Sequence, residues 1–155
     1  MGTRSLIGVL HGDVCKFVHC HWDGYLEHNG KILQENYDSP KANHLVALGD
    51  LSSLGPNIGE KHDFDCPDNI KIGTPEFIAW TENKASMCTF YERDRDETGC
   101  EFKVRHTYAE VYYFAENTWC EYIYIMEDGV WFVDEMNGKG LQVLADAIER
   151  AKIVA

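Results

Sequence analysis

Two apolar runs open the chain, at residues 5–10 and 14–22, and the Gly12-Asp13 pair between them suits a two-residue hairpin turn because glycine tolerates positive φ. That turn makes His11 face Val14, and the register then sets Leu6 beside His19, Arg4 beside His21 and Thr3 beside Trp22. One face carries Arg4, Leu6, Leu10, Phe17, His19 and His21; the other carries Thr3, Ile7, Val9, Val18, Cys20 and Trp22. Both are partly apolar, which places the hairpin inside a sheet. After Asp23-Gly24 breaks the strand, Ile32, Leu33 and Tyr37 follow helical spacing, with Asn29 as the cap. A second helix follows, with Ser39 as cap, Pro40 at its first position, Leu45 and Leu48 as the buried stripe and Gly49 as the exit. Residues 50–75 hold three glycines and three prolines without a sustained period and read as a long loop.

From residue 85 the pattern turns to strands, at 87–93, 100–107, 110–114, 119–126 and 130–134. Asp128-Gly129 joins the last two as a hairpin that pairs Tyr124 with Val133 and Met126 with Trp131. A helix over 140–153, with Leu141, Leu144, Ala145, Ile148 and Ala151 on one stripe, closes the chain. The expectation is a single α+β domain over residues 1–155: a mainly antiparallel sheet made of an N-terminal hairpin and a C-terminal meander, two helices after strand 2 and one C-terminal helix.

Composition narrows the partners. Fourteen Lys and Arg against twenty-six Asp and Glu leave a net charge of -12, which repels nucleic-acid backbones and argues against direct nucleic-acid binding. Residues 1–60 carry four bases and seven acids, residues 61–155 ten and nineteen, and the stretch 107–138 has no Lys or Arg at all. That stretch is a solvated outer face or a surface that imitates a polyanion. The six cysteines form no C-x-x-C pair, no apolar leader opens the chain and no segment approaches a membrane span, so reduced thiols and a cytoplasmic location are expected, away from membranes.

The chemistry concentrates at Cys20-His21-Trp22-Asp23-Gly24-Tyr25, where a strand gives way to a turn. His19 and His21 share a face at roughly 7 Å between Cα atoms, a weak metal signal without a fixed third ligand. An anion-binding group needs less. Arg4 beside His21, with Ser5 nearby and Lys31 at the start of the next helix, makes a positive pocket on an acidic molecule, and Trp22 and Tyr25 are placed to stack a base. In the bland alternative Arg4 pairs with Asp23 and the aromatics are core. No G-x-S-x-G, H-E-x-x-H, P-loop or paired H-x-T element supports catalysis, and Cys20 points away from both flanking imidazoles.

The opening Met1-Gly2-Thr3-Arg4-Ser5-Leu6, together with Trp22-Asp23-Gly24-Tyr25 followed by Gly30-Lys31 and a leucine-bearing helix, resembles a group of small, largely uncharacterised bacteriophage and viral proteins. Leu26 stands where relatives typically have proline. The resemblance covers about the first 50 residues and implies a phage accessory protein acting in the host cytoplasm. The leading expectation is a non-enzymatic binding protein that sequesters a phosphate-bearing small molecule, such as a nucleotide immune signal, through Arg4, Ser5, His19, His21, Trp22, Asp23, Tyr25 and Lys31. No cofactor is expected, and a pocket built between subunits would make it a homo-oligomer. Two alternatives stand beside it: an acidic inhibitor that covers a basic surface of a host protein, and a nucleotide hydrolase using His19 and His21.

Overall fold

In the computed structural model, which describes residues 2–154, the first hairpin forms as the sequence predicts. Strands β1 (Arg4–His11) and β2 (Val14–Cys20) pair antiparallel with His11 opposite Val14 and Leu6 opposite His19, and Gly12 turns the chain at φ +62°. The remaining strands are β3 (Leu51–Ser53), β4 (Thr89–Phe90), β5 (Lys103–Arg105), β6 (Cys120–Glu127), β7 (Val130–Asp134) and β8 (Leu141–Val143). They form one open sheet in the order β4-β3-β2-β1-β6-β7-β8, with β5 also pairing β2. The hairpin is thus interior, and its two apolar faces are both covered.

The sheet is mainly antiparallel but mixed. β1 pairs β6 in parallel, and β2 pairs β3 in parallel at Cys20 and Leu51. The C-terminal meander β6-β7-β8 has the expected register, Tyr124 opposite Val133 and Met126 opposite Trp131, around an Asp128-Gly129 turn in which both residues adopt positive φ.

Helices α1 (Lys31–Asn36), α2 (Ser39–Ala47) and α6 (Leu144–Val154) cover one face, where Ile7, Val9, Val18, Cys20 and Tyr124 pack with Leu33, Leu45 and Leu144. Helix α5 (Tyr108–Asn117) covers the other, setting Val111 and Ala115 on Leu6, Phe17, Ile123 and Ile125. Helices α3 (Pro75–Ala85) and α4 (Tyr91–Arg95) lie toward the β3-β4 edge. Five of the six cysteines are buried and all six are free. Among the described residues no helix is long and apolar enough to cross a membrane.

Several expectations are corrected. Residues 110–114 are helical, because Thr107 caps α5: its hydroxyl accepts from the Glu110 amide and donates to the Glu110 carboxylate. The presumed loop at 50–75 contains β3, and Thr74-Pro75 caps and starts α3. The strand expected at 87–93 is only two residues long before α4 begins, and the helix expected from residue 140 starts at Leu144, after β8. Asp38, not Ser39, caps α2, its side chain accepting from the Lys41 amide. Asn29 caps nothing: it is fully buried inside a π-helical turn, Leu26–Gly30, which runs directly into α1.

Candidate functional site

The N-terminal end of β1 carries a bulge between Arg4 and Ser5, where the ladder to β6 steps from Cys120 to Tyr122. Successive side chains of β1 alternate, so Arg4 lies on the α5 side of the sheet with His19 and His21, and Ser5 lies on the other. Beyond Cys20 the chain stays extended along β3, since the His21 and Trp22 amides donate to the carbonyls of Leu51 and Ser52. The His19 amide donates to Asp50 at 2.9 Å, and Lys103 bonds the second oxygen of that carboxylate at 3.1 Å. Burial, helped by the positive fields of Arg4, His21 and Lys103 and opposed by Asp50, lowers the His19 imidazole to about 4. Burial and Arg4 also lower His21. At neutral pH His19 is therefore an uncharged imidazole within the field of the Arg4 guanidinium.

Arg4 is a half-buried cation at this end. The other arginines each donate a hydrogen bond, Arg93 to Asp94, Arg95 to Glu97, Arg105 to the Val104 carbonyl and Arg150 to Gln142. Among the described residues Arg4 has neither a hydrogen bond nor an ion pair, and its pairing with Asp23 does not occur. Its one neighbour of note is the Trp119 ring, 6.0 Å from the guanidinium carbon. Trp119 follows the end of α5 at φ +58° and is 77% exposed. A bulky side chain in the left-handed region is strained, and nothing in the packing accounts for it here. Trp22, 44% exposed, stands edge-on to the His21 ring at 4.5 Å between centroids.

Behind this end the turn is locked from inside. The Gly24 amide donates to the Thr3 carbonyl at 2.8 Å, and the buried Tyr124 hydroxyl donates to the Gly24 carbonyl at 2.5 Å. A Cβ at Gly24 would lie 2.9 Å from both the Ser5 Cβ and the Thr3 oxygen, so only glycine fits. The Asn29 amide group donates to the Ser5 hydroxyl, the Cys20 sulfur and the Trp22 carbonyl, while its oxygen accepts from His28 Nδ1 at 2.9 Å. Asp23 adopts φ +57° and accepts from the exposed Tyr25 hydroxyl at 3.3 Å.

The sequence candidates therefore separate. Arg4, His19, His21 and Trp22 come together, and Asp23 and Tyr25 form the adjoining turn. Ser5 is fully buried on the opposite face as part of the Asn29 network. Lys31 lies in a separate groove with Leu26, Ile148 and Lys152, and the π-helical turn leading into α1 leaves no free helix end beside it. Trp119, Lys103 and Asp50 were not read from sequence, because only the parallel pairing of β1 with β6 and the β2-β5 ladder bring them close.

On the far side of the turn, a cleft of about 230 Å³ opens between Asp23, His28 and Ser53 on one wall and Trp80, Lys84 and Met87 on the other. No residue from 59 to 86 is buried, so α3 is held from outside. The Lys84 ammonium lies over the Phe64 and Trp80 rings and donates to the carbonyls of Asp63 and Phe64, and Arg95 stacks on Phe64 and Tyr91. A further cleft, about 480 Å³ near Glu35, Asp38 and Trp131, has no basic side chain in its lining. Among the described residues no group of three His, Cys, Asp or Glu is arranged to hold a metal ion. No protein-family model, curated protein or solved structure matches this chain. Its fold and surface define an α+β protein with an open mixed sheet and, at the end where β1 begins, an arginine without a partner among the described residues.

Proposed function

We propose that the protein binds and holds a phosphate-bearing small molecule at the Arg4 end of the sheet. The guanidinium meets the phosphate, His21 adds a ring N–H, and Trp22 and Trp119 flank the rest of the ligand. One observation carries this reading: on a chain of net charge -12, the arginine without a partner among the described residues lies 6.0 Å from the exposed indole of Trp119, itself in a strained conformation. An uncharged His19, lowered to about 4, is a weak base at neutral pH and suits holding better than turnover. In the setting that the resemblance to phage proteins implies, the ligand is a nucleotide messenger of host defence, captured in the host cytoplasm, with a second subunit closing the pocket. Calorimetry against mono-, di- and cyclic nucleotides tests the reading. Binding that Arg4→Ala abolishes supports it, and the absence of heat with every member of the panel removes it.

A second reading rests on a different surface. Tyr113, 68% exposed, and Trp119 stand among Glu110, Glu116 and Glu121, an acidic and aromatic face suited to a basic host protein. A host partner released by salt, and lost when the three glutamates are neutralised, favours this inhibitor role over capture of a small molecule.

A further inference from the structure

The cleft between the 23–28 turn and α3 has a donor and acceptor pattern that the Arg4 end lacks. Asp23 offers a carboxylate with one oxygen partly engaged by Tyr25 and the other without a hydrogen-bond partner among the described residues. His28 is fixed as the tautomer with its proton on Nδ1, because that nitrogen faces the Asn29 oxygen, whose amide group is itself oriented by the Trp22 carbonyl. Its Nε2 keeps a lone pair. The Lys84 ammonium has three N–H groups, two of which go to the carbonyls of Asp63 and Phe64, leaving one. Trp80 supplies an aromatic plane in the same wall.

We infer that this cleft is a subsite for a guanine base. The Asp23 carboxylate accepts from the adjacent ring N–H and amino group of guanine, the remaining Lys84 N–H meets the neighbouring carbonyl oxygen, and the Trp80 indole covers the ring. Guanine is the base whose pairing edge runs acceptor, donor, donor. Adenine would turn a ring nitrogen lone pair toward the carboxylate, and uracil presents a single donor between two acceptors. The Asp23 carboxylate also repels the phosphate itself, which leaves that group to Arg4. Asp23 is placed for this task at some conformational cost, since a non-glycine residue at φ +57° is uncommon.

The inference rests on the phosphate-capture reading only in supplying the base of the same ligand, and phosphate-free nucleosides separate the two. Calorimetry with guanosine, inosine, adenosine and inorganic phosphate is run on the full chain and on Asp23→Gly, Trp80→Leu and Arg4→Ala. Glycine suits the left-handed conformation at position 23, and Trp80 lies on a helix without buried residues, so both variants keep the core. Guanosine is expected to bind, with inosine, which lacks the amino donor, weaker by about tenfold or more. Asp23→Gly erases that preference and Trp80→Leu weakens every nucleoside by about tenfold, whereas Arg4→Ala abolishes binding of inorganic phosphate. No guanosine binding, or equal binding of guanosine and inosine, overturns the subsite. If phosphate binds through Arg4 while no nucleoside does, the subsite falls and the capture reading stands. Guanosine binding with no contribution from phosphate keeps the subsite and removes phosphate capture.

Discussion

Acidification should weaken this fold through His19 in a way that a single substitution isolates. The ring titrates at about 4 in the folded chain against an ordinary 6.5, because burial and the neighbouring Arg4, His21 and Lys103 oppose its charge. Between those two pH values the unfolded chain binds the proton and the folded chain does not. Stability is therefore full above pH 6.5 and is lost as the pH falls toward 4. At 1.36 kcal/mol for each tenfold difference in proton affinity, the gap is worth about 3 kcal/mol, reduced to roughly 2 kcal/mol by the ring's partial exposure. Carboxylates titrate in the lower part of the same window, so the informative quantity is the difference between the native chain and His19→Gln. Urea unfolding followed at pH 7, 6, 5 and 4.5 measures it, and 2 kcal/mol corresponds to a midpoint shift of about 1 M. The variant should gain on the native chain steadily as the pH falls. A difference that stays constant within about 0.5 kcal/mol from pH 7 to 4.5 would refute the account of a neutral, field-suppressed imidazole.

Three further outcomes follow from the same geometry. Trp119→Gly should raise stability by about 1 kcal/mol, or roughly 2–4 °C in Tm by calorimetry, by relieving the left-handed strain after α5, while weakening binding of a phosphate-bearing ligand; a lower Tm would mean that the indole packs. Asn29→Ala should cost about 2–4 kcal/mol in denaturant unfolding, because the Ser5 hydroxyl, the Trp22 carbonyl and His28 all lose a buried partner; a loss under 1 kcal/mol would show that water replaces it. Asp94→Ala should cost about 3–5 kcal/mol, since the fully buried carboxylate accepts from Arg93 and from the His62 and Phe90 amides, and limited proteolysis should then cut between residues 59 and 86 first.

Legibility in the sequence followed the range of the interactions. The two hairpins were readable because turn residues and apolar alternation act within a few positions: Gly12-Asp13 and Asp128-Gly129 set registers that the coordinates reproduce. The parallel joining of β1 to β6 was not readable, since no local signal says which strand fills a central gap, and it is this joining that brings Trp119 to Arg4. The helix at 108–117 had a local signal in Thr107 and Glu110, but its aromatic residues also suit a strand, and tertiary packing of Val111 and Ala115 decided the matter. Arg4, His19 and His21 were grouped from register alone. Ser5 and Lys31 were drawn in by closeness along the chain, which the alternation of side chains along β1 and the π-helical turn before Lys31 both defeat.

An acidic molecule that holds an anion has to do so at short range. At physiological salt the Debye length is about 8 Å, so most of the carboxylates in the 107–138 stretch act only weakly on a ligand at Arg4. What remains local is one unpaired guanidinium and a ring that adds a donor without adding charge. The charged donor nearby, Lys103, is already engaged by Asp50. A single unsatisfied cation gives a shallow dependence of affinity on salt, whereas a surface with several free lysines gives a steep one. Affinity must then come from stacking and from hydrogen bonds whose partners are fixed in advance, which is the role the locked Gly24 and Asn29 turn can serve: it holds Trp22 and Asp23 in place at the cost of burying Ser5, Asn29 and Tyr124.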